Sequence, residues 1–414
     1  MKYNFYIEGH FYSKERIPKI YIEKQYFQSK PNELYKCCVT GISIYFDSIN
    51  IFFPKGYNID IDFEKLLVAG KLLFQTINKY RNEIILNEDE IEWLGNENSS
   101  IKLLNTYEWI IKDFIKHGLY IEMDEKEEVN SKGKIDWNKT IKNELPIIKQ
   151  GQFIYTNIHT KKTKLRTDNY VSKIHNNIMV ECIEKLGWLF NLDISLDYCE
   201  LDLDKEKQLV ILKQKLNETF KERDIQLIKK LISIIENKTS DLKNFEIVTP
   251  YFYTIWEEML KIIFKHDHSL LRIMPKPYWL IENKKNYTTQ IPDILIKNND
   301  DLIIIDAKYY SIEFRKHNKY PGWESIVKQL YYSLSLATKF KNITNLFFLP
   351  EHLNSNFSYI GSTSVEKLEF KFGYIDAYSI NIDLVLNSYL TNNDETQLLF
   401  QIIENTKVIN RDEI

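Results

Sequence analysis

The stretch from Ile291 to Tyr309 constrains the fold of this chain more than any other. Two β-forming runs, 291–297 and 302–309, flank the turn-forming sequence Asn-Asn-Asp-Asp. Asn and Asp residues between two such runs are typical of a β-hairpin. The second run begins with four consecutive apolar residues, Leu302 to Ile305, which predicts a strand buried on both faces of a sheet.

The register of this hairpin follows from the position of its turn. With the turn centred between Asn299 and Asp300, Asp293 stands opposite Asp306. Directly opposed residues have Cβ atoms about 4.5–5.5 Å apart, so both carboxylates can hold one small cation and repel each other without it. Because side chains alternate along a strand, Lys308 shares the face of Asp306.

Two carboxylates and an ammonium group on one face suit metal-assisted phosphodiester hydrolysis. Mg²⁺ prefers oxygen ligands and keeps several waters. A bound metal lowers the pKa of a water, and Lys308 can orient that water or stabilise the transition state. The same residues also fit an ordinary hairpin with solvated charges. The predicted burial favours the metal site, because a carboxylate that ends a buried strand is costly unless it is paired or binds a metal.

A third carboxylate is usual in such sites, and a helix upstream offers two. Thr249 and Pro250 predict the start of a helix that continues to about Lys265. Its apolar stripe consists of Phe252, Ile255, Trp256, Met259, Leu260 and Ile263. Glu257 and Glu258 lie about equally far from the centre of that stripe, so the helical period does not choose between them.

A further helix is predicted after Pro321 and Gly322. Its residues Lys328, Gln329 and Tyr332 could project toward the site or toward a DNA backbone, and core or surface roles fit these three residues equally well.

Composition and missing motifs exclude several classes of protein. The chain has 414 residues, enough for at least two domains. It contains no apolar run long enough to cross a bilayer and no secretory signal at its start, which predicts a soluble, cytoplasmic protein without membrane association. It lacks GxxxxGK[ST], GxSxG, HExxH and CxxC motifs. The net charge of −3 shows no general affinity for polyanions, so any nucleic-acid contact must be local.

These motifs resemble the LlaJI-type restriction endonucleases, which are similar to the McrC nuclease subunit of modification-dependent restriction systems. The resemblance rests on Trp256-Glu257, Ile291-Pro292-Asp293, Asp306-Ala307-Lys308-Tyr309-Tyr310, and Pro321-Gly322 followed by Lys328-Gln329. Phe53-Pro54-Lys55-Gly56-Tyr57 and the stretch from Gly133 to Ile141 also look like that family.

The resemblance implies a role for each site residue. Glu257 would be the helix carboxylate, Asp293 and Asp306 the metal ligands, and Lys308 the catalytic lysine of a PD-(D/E)xK site. The cofactor would be Mg²⁺, with Mn²⁺ as a substitute. The downstream helix departs from the Gln-x-x-x-Tyr spacing of many relatives, since Tyr332 follows Gln329 by three residues. The supporting roles of Gln329, Tyr332 and Lys328 therefore stay open.

The resemblance also implies partners and a function. The substrate would be double-stranded DNA, cleaved in defence against phage or other foreign DNA, and the partner an McrB-like AAA+ GTPase or ATPase. The missing P-loop agrees with a motor on another chain, and a homo-oligomer is compatible with the sequence. Two alternatives are a nuclease acting on RNA and a non-catalytic subunit that binds DNA or the AAA+ partner and keeps the fold.

The predicted architecture has four segments. Alternating apolar residues over 42–53 and helical periodicity over 63–82 predict an N-terminal α+β domain at 1–165, for DNA recognition or partner binding. Helical patterns at 170–189 and 209–237 predict a helical connector at 166–245. The expected α/β nuclease domain, a restriction-endonuclease-like mixed sheet flanked by helices, spans 246–390. A C-terminal helix is expected at 391–414.

Overall fold

The computed structural model describes residues 2–45, 48–95, 98–166, 169–192, 194–237, 245–289, 291–310 and 320–408. Its strands are β1 (Lys2–Ile7), β2 (Phe11–Ser13), β3 (Phe27–Ser29), β4 (Leu34–Cys37), β5 (Thr40–Tyr45), β6 (Ser48–Phe53), β7 (Glu122–Val129), β8 (Lys134–Ile135), β9 (Ile147–Lys149), β10 (Gln152–Ile154), β11 (His159–Arg166), β12 (Phe245–Thr249), β13 (Tyr278–Ile281), β14 (Lys284–Tyr287), β15 (Ile294–Asn298), β16 (Asp301–Ala307), β17 (Asn342–Glu351), β18 (Phe357–Thr363) and β19 (Ile375–Asn381).

The helices lie between these strands and at the C-terminal end. They are α1 (Lys19–Glu23), α2 (Phe63–Glu83), α3 (Glu88–Leu94), α4 (Ser99–His117), α5 (Trp137–Asn143), α6 (Tyr170–Phe190), α7 (Lys205–Glu218), α8 (Glu222–Asn237), α9 (Phe252–Ile263), α10 (Trp323–Leu336), α11 (Glu369–Phe372), α12 (Ile382–Thr391) and α13 (Thr396–Val408).

The central sheet of the first compact unit is mixed, as the sequence predicts. Its strand order is β15-β16-β17-β19-β18. The three inner strands run parallel, and β15 and β18 pair antiparallel at the two edges. Ile294 pairs with Ile305 and Asn298 with Asp301, so the predicted hairpin register is confirmed. Asn299 takes a positive φ of 54°, as a tight two-residue turn requires.

Helices cover both faces of this sheet. On one face, Leu295 and Ile304 form a core cluster with Tyr332 and Leu336 of α10. On the other face, Phe348 contacts Phe264 at the end of α9, with ring centroids 5.4 Å apart. All six residues of the predicted apolar stripe on α9 are buried. Burial of each such side chain stabilises the fold by about 1.5–3 kcal/mol, so α9 is firmly held.

A second sheet, in the order β1-β6-β5-β12, belongs to the same unit. The predicted β structure at 42–53 is present as the antiparallel pair β5 and β6. Strand β12 immediately precedes α9 and pairs with β5, for example Ile247 with Ile42. The chain therefore returns to its N-terminal sheet before it enters the central sheet.

The structure groups the chain differently from the four predicted segments. One compact unit comprises residues 1–101 together with 244–414, and the other comprises 102–243. The predicted boundary at 165 does not coincide with this division, because 102–165 group with the helices of the predicted connector. The predicted boundary near 245 lies beside the point where β12 re-enters the first unit. Within 391–414, α13 forms as expected.

The second unit consists of helices and two small sheets. Strands β7 and β11 pair antiparallel over their whole length, with β8 on the far edge of β11, and β9 pairs with β10. Helix α6 matches the predicted helix at 170–189. The helix predicted over 209–237 is wrong as one continuous element, because α7 ends at Glu218 with an extended Thr219 and α8 starts at Glu222.

Helix α9 begins later than the sequence predicts. Thr249 ends β12 and accepts a hydrogen bond from Tyr251 N, so the predicted helix start at Thr249 is wrong and α9 begins at Phe252.

None of the helices in the described part of the chain combines the length and the apolar character needed to span a bilayer.

The close approach of β12 to β5 generates a first prediction. Gly41 has a φ of +139°, and a Cβ there would lie 2.1 Å from the carbonyl oxygen of Ile247. We expect Gly41→Ala to lower the free energy of unfolding by more than about 1 kcal/mol, because both strain and a backbone clash result. The measurement is urea unfolding followed by circular dichroism.

Gly373→Ala is the matched control for this prediction. Gly373 also has a positive φ, +70°, but a Cβ there would meet nothing within 4 Å. A loss of stability in Gly41→Ala no larger than in Gly373→Ala would show that the β5 and β12 contact does not constrain the fold.

Candidate active site at the end of the β15 and β16 hairpin

The hairpin brings Asp293 and Asp306 together where β15 begins and β16 ends. The two residues directly adjoin the last recorded pair, Ile294 with Ile305. Asp293 Oδ2 accepts a hydrogen bond of 2.9 Å from Ala307 N, which fixes the Asp293 carboxylate against the end of β16. Asp306 is buried, with 4% of its surface exposed. The structure therefore places the two carboxylates side by side.

The protonation of Asp293 reflects this proximity. The pKa of Asp293 is raised to about 8: burial is the largest cause, the neighbouring Asp306 and Glu257 act in the same direction, and the bond from Ala307 N opposes them. Ionisation of both carboxyl groups at this distance is unfavourable, because the two negative charges repel each other. The pair thus holds a proton where a cation could bind.

Lys308 lies beside the same pair. Its Nζ is 2.7 Å from Asp306 Oδ2, and only 12% of the lysine side chain is exposed. The ammonium group also lies 5.4 Å from the centroid of the Phe347 ring. Asp306 Oδ2 is buried and has this ion pair but no hydrogen bond of normal geometry. This oxygen is thus engaged by Lys308, and its remaining lone pair can accept a further ligand.

Glu257, rather than Glu258, approaches the pair from α9. The charge of Glu257 contributes to the raised pKa of Asp293. The charge of Glu258 instead helps to raise the pKa of Tyr80 and of Tyr389, on α2 and α12. Glu257 Oε1 accepts a hydrogen bond of 2.5 Å from Lys261 Nζ. The tertiary structure thus distinguishes two glutamates that the helical period leaves equivalent.

Helix α10 contributes a second lysine and a tyrosine to the site. Burial lowers the pKa of Lys328, but Asp293 and Asp306 outweigh that effect and the net shift is upward. Burial raises the pKa of Tyr332, with Lys328 opposing. The Tyr332 hydroxyl is buried without a hydrogen bond of normal geometry. Both residues therefore belong to the electrostatic surroundings of the two aspartates.

Gln329 has a different position from Lys328 and Tyr332. It is fully buried, and its Nε2 donates a hydrogen bond of 2.9 Å to the carbonyl oxygen of Ile304. This bond attaches α10 to β16 just before Asp306. Its Oε1 is buried and has no hydrogen-bond partner.

The donor set fits a hard divalent cation. Asp293 and Asp306 offer carboxylate oxygens, the ligands that Mg²⁺ prefers, and the buried Asp306 Oδ2 can accept a further contact. Within the described residues, no group of three or more His, Cys, Asp or Glu side chains is close enough to form a complete metal cluster. Glu257 acts on Asp293 electrostatically but does not complete a group of three ligands. The core of the candidate site is therefore the aspartate pair.

A buried polar cluster on the opposite face of β16 escaped the sequence analysis. Tyr309 points away from Lys308, and its hydroxyl donates a hydrogen bond of 2.7 Å to Glu8 Oε2. Thr40 Oγ1 donates to the same oxygen at 2.7 Å, and Lys55 Nζ lies 3.2 Å from Glu8 Oε1. Lys55 N donates to the Tyr309 hydroxyl at 3.1 Å. We call these four residues the Glu8 cluster.

The turn after β6 docks on the end of β17 next to this cluster. His352 N donates to the Gly56 carbonyl oxygen at 2.9 Å. A Cβ on Gly56, whose φ is +81°, would lie 2.2 Å from the Pro350 carbonyl oxygen. Tyr57 stacks on His352 and donates a hydrogen bond of 3.2 Å to Asp383 Oδ1. The motif at 53–57 resembles the family in sequence, and only the structure shows that it contacts the strands of the site.

Comparison with known proteins places the chain in a family. The model of the LlaJI restriction endonuclease family matches residues 39–390, and the chain belongs to this family. A curated relative is the type II restriction enzyme BsuMI component YdjA of Bacillus subtilis (strain 168), 27% identical over 315 residues. That match covers 69% of this chain and 66% of the relative, slightly less than two thirds of its length.

Two solved structures are similar over much of the chain. One is a half-complex from a tetradecameric assembly of Thermococcus gammatolerans McrB AAA+ hexamers with bound McrC, with 12% identity, a TM-score of 0.37, and coverage of 96% of this chain and 100% of that one. The other is the McrBC complex of the same organism, with 12% identity, a TM-score of 0.27, and coverage of 63% and 86%.

The raised pKa of Asp293 generates a second prediction. Its folded-state pKa, about 8, lies above the ordinary value of about 3.9, so the folded protein holds an extra proton between these values. The associated stability is complete below the lower pKa and is lost as the pH rises through the upper one. In EDTA, the melting temperature of the wild type should therefore fall relative to that of Asp293→Asn between pH 5 and pH 8.5.

Asn cannot ionise and keeps an oxygen to accept the Ala307 bond, so Asp293→Asn isolates the titration. Asp300→Asn, in the exposed turn of the same hairpin, is the control and should parallel the wild type. Parallel curves for wild type and Asp293→Asn would contradict the prediction.

The Glu8 cluster generates a third prediction. Lys55→Met should lower the free energy of unfolding by about 1–3 kcal/mol, because Glu8, only 4% exposed, loses its partner of opposite charge. The added change Glu8→Gln should restore part of that loss. Urea unfolding measures both variants. Lys19→Met is the control, because the Lys19 and Glu23 side chains are 90% and 55% exposed and their ion pair should contribute little. Equal effects of Lys55→Met and Lys19→Met would refute the role assigned to Lys55.

Proposed function

We propose that this chain is a Mg²⁺-dependent DNA endonuclease of a bacterial restriction or anti-phage defence system. The main observation behind the proposal is the adjacent carboxyl groups of half-buried Asp293 and buried Asp306, with Lys308 on the same face. Membership of the LlaJI restriction endonuclease family supports the reaction class. We further propose that the central sheet with α9 and α10 is a PD-(D/E)xK, restriction-endonuclease-like domain.

The aspartate pair would hold the metal. Asp293 and Asp306 would supply carboxylate oxygens, with Glu257 as the third carboxylate, and Mn²⁺ would substitute for Mg²⁺. When bound, the cation activates a water and neutralises negative charge on the scissile phosphate. A bound cation would also displace the proton that Asp293 otherwise holds at neutral pH. Each ionised carboxylate would then be attracted to the cation, which offsets the repulsion between the two carboxylates.

The two lysines would act on the phosphate itself. Lys308 lies beside Asp306 and is largely shielded from solvent, so its charge would stabilise the negative charge that develops on phosphorus. Lys328 on α10 would add positive charge to the same region. Tyr332 would support Lys328, and Gln329 would position β16 through Ile304.

A partner chain is part of the proposal. The relative YdjA is by name a component of a type II restriction enzyme, and this sequence contains no P-loop of its own. We therefore propose that the chain is a nuclease subunit that works with an McrB-like AAA+ NTPase on double-stranded DNA, in the cytoplasm and without membrane association. The unit at 102–243 or the N-terminal residues would bind DNA or that partner, and self-association is compatible with this arrangement.

Two other functions follow from the same family resemblance. A nuclease acting on RNA would use the same residues, and a preference for duplex DNA would exclude it. A non-catalytic subunit that binds DNA or the AAA+ partner would keep the fold but have no need for the buried charges. Asp293, Asp306 and Lys308 are all present, which favours catalysis, because burying charged groups costs free energy even when they are paired.

The fourth prediction tests catalysis. The purified chain is incubated with plasmid DNA and Mg²⁺, alone and with an McrB-like AAA+ protein plus GTP or ATP. We expect cleavage that EDTA abolishes, and we expect Asp306→Asn and Lys308→Met to reduce the rate by about 10²–10³-fold, because each removes a charge that acts on the transition state. Agarose gels resolve the products.

Asp300→Asn serves as the matched control. It changes the same residue type in the exposed turn of the same hairpin and should cleave like the wild type. Equal cleavage by wild type and Asp306→Asn would reject the assigned site. Absence of cleavage under every condition, with DNA or partner binding intact, would favour the non-catalytic subunit.

A further inference from the structure

The antiparallel strands β13 and β14 form a separate two-stranded hairpin whose side chains face solvent. Every residue of both strands is exposed. The largest are Tyr278, Trp279, Leu280, Ile281 and Tyr287, whose exposed fractions range from 50% to 69%. Glu282 and Asn283 both have positive φ angles, 50° and 62°, typical of the tight turn that closes such a hairpin. Large apolar side chains exposed together indicate a binding surface.

The two faces of this hairpin have similar chemistry. The pairing of Tyr278 with Tyr287 and of Leu280 with Lys285 places two aromatic rings, one aliphatic side chain and one lysine on one face. The other face contains Trp279, Ile281, Lys284 and Asn286. Lys285 Nζ lies 4.4 Å from the centroid of the Tyr278 ring. Each face thus combines aromatic, aliphatic and cationic groups.

The local charge is opposite to that of the whole chain. Residues 272–289 contain the basic residues Arg272, Lys276, Lys284 and Lys285 but only one acidic residue, Glu282, whereas the full chain has a net charge of −3. The lysines of the hairpin complement a polyanion. Its aromatic and aliphatic side chains complement flat, apolar rings in the same ligand. This combination matches DNA, with phosphates on the outside and bases in its grooves.

The base of the hairpin is held close to the candidate site. Thr288 N donates a hydrogen bond of 2.8 Å to the Pro277 carbonyl oxygen, which closes the base. Leu270 and Met274 just before it belong to the core cluster of Leu295 and Ile304. Asp293 follows Tyr287 by six residues, so their Cα atoms lie within about 20 Å even if the chain between them is fully extended. The base of the hairpin therefore lies within about 20 Å of Asp293, which is roughly six base pairs along B-form DNA.

We propose that the hairpin at 278–287 is a DNA-contacting ribbon that binds duplex DNA beside the scissile phosphate. This inference rests on the proposed function, in which the same site cleaves DNA. Lys284 and Lys285 contact backbone phosphates, while Tyr278, Trp279 and Tyr287 pack against sugars and base edges. A two-stranded ribbon fits within the major groove of B-form DNA. The basic excess favours DNA over a protein partner as the occupant.

The fifth prediction measures DNA binding separately from cleavage. The full chain with Asp306→Asn is titrated in EDTA onto a fluorescein-labelled 30-base-pair duplex, and anisotropy is recorded at several salt concentrations. On this background, Lys284→Glu with Lys285→Glu should weaken binding at least tenfold and lower the slope of log K against log salt by about 2, because two phosphate contacts are lost. Tyr278→Ala with Trp279→Ala should weaken binding while it leaves that slope unchanged.

The matched control is Lys367→Glu with Lys371→Glu. Both lysines are exposed and lie in the same compact unit, and the change in net charge is identical. Melting temperatures should equal that of the parent, because the substituted side chains lie on the surface.

The outcomes separate this inference from the proposed function. Binding by the hairpin variants equal to that of the control would overturn the inference, even if the wild type cleaves plasmid DNA in Mg²⁺. If the variants bind DNA normally but lose the AAA+ partner in a pull-down, the hairpin is a protein-docking surface and the inference is again overturned. Failure of the wild type to cleave, with tenfold weaker binding in the hairpin variants, would reject the proposed catalysis and retain the ribbon.

Discussion

The contact between two carboxyl groups at the end of a buried strand is the constraint to which the surrounding structure responds. Strand β16 lies between two helical layers, and Leu302 to Asp306 are all buried. A carboxylate at that position is unfavourable unless something compensates it. The protein places Lys308 against one oxygen of Asp306 and holds a proton on its neighbour Asp293. Stability alone would be served better by an apolar pair, which supports the proposal that the site serves a function.

The strand that bears this charge is held from three directions. The hairpin partner β15 fixes the register and with it the position of Asp293. Gln329 attaches α10 to the backbone of Ile304. On the other face, Tyr309 donates a hydrogen bond to Glu8 in the N-terminal sheet. Because the Glu8 cluster is buried and charged, residues from the first hundred positions stabilise the end of the strand where the aspartates lie. The N-terminal sheet and the central sheet consequently form one unit.

Local pattern was sufficient for the β15 and β16 hairpin, for helices α2 and α6, and for the apolar face of α9. Alternation and an Asn/Asp turn predicted the hairpin register, which the structure confirms. Apolar spacing predicted the buried face of α9 residue by residue. Local pattern did not predict the break between α7 and α8 or the residue at which α9 begins. The break between α7 and α8 spans only three residues. The spacing of apolar residues in the sequence does not reveal it. Thr249 and Pro250 have the residue types of a helix start, but Thr249 pairs with Thr40 in the N-terminal sheet.

The sequence by itself determined that Asp293, Asp306 and Lys308 share one face, because strand alternation and turn length are local properties of the backbone. It also determined the family, through motifs that are short and local. Only the tertiary structure decided that the charge of Glu257 and not that of Glu258 acts on Asp293, that Lys328 and Tyr332 interact electrostatically with the aspartates, and that Glu8 and Lys55 contact Tyr309. These relations join residues up to 301 positions apart. These relations depend on how helices and sheets pack. The spacing of apolar residues within one helix or strand does not specify which other element packs against it.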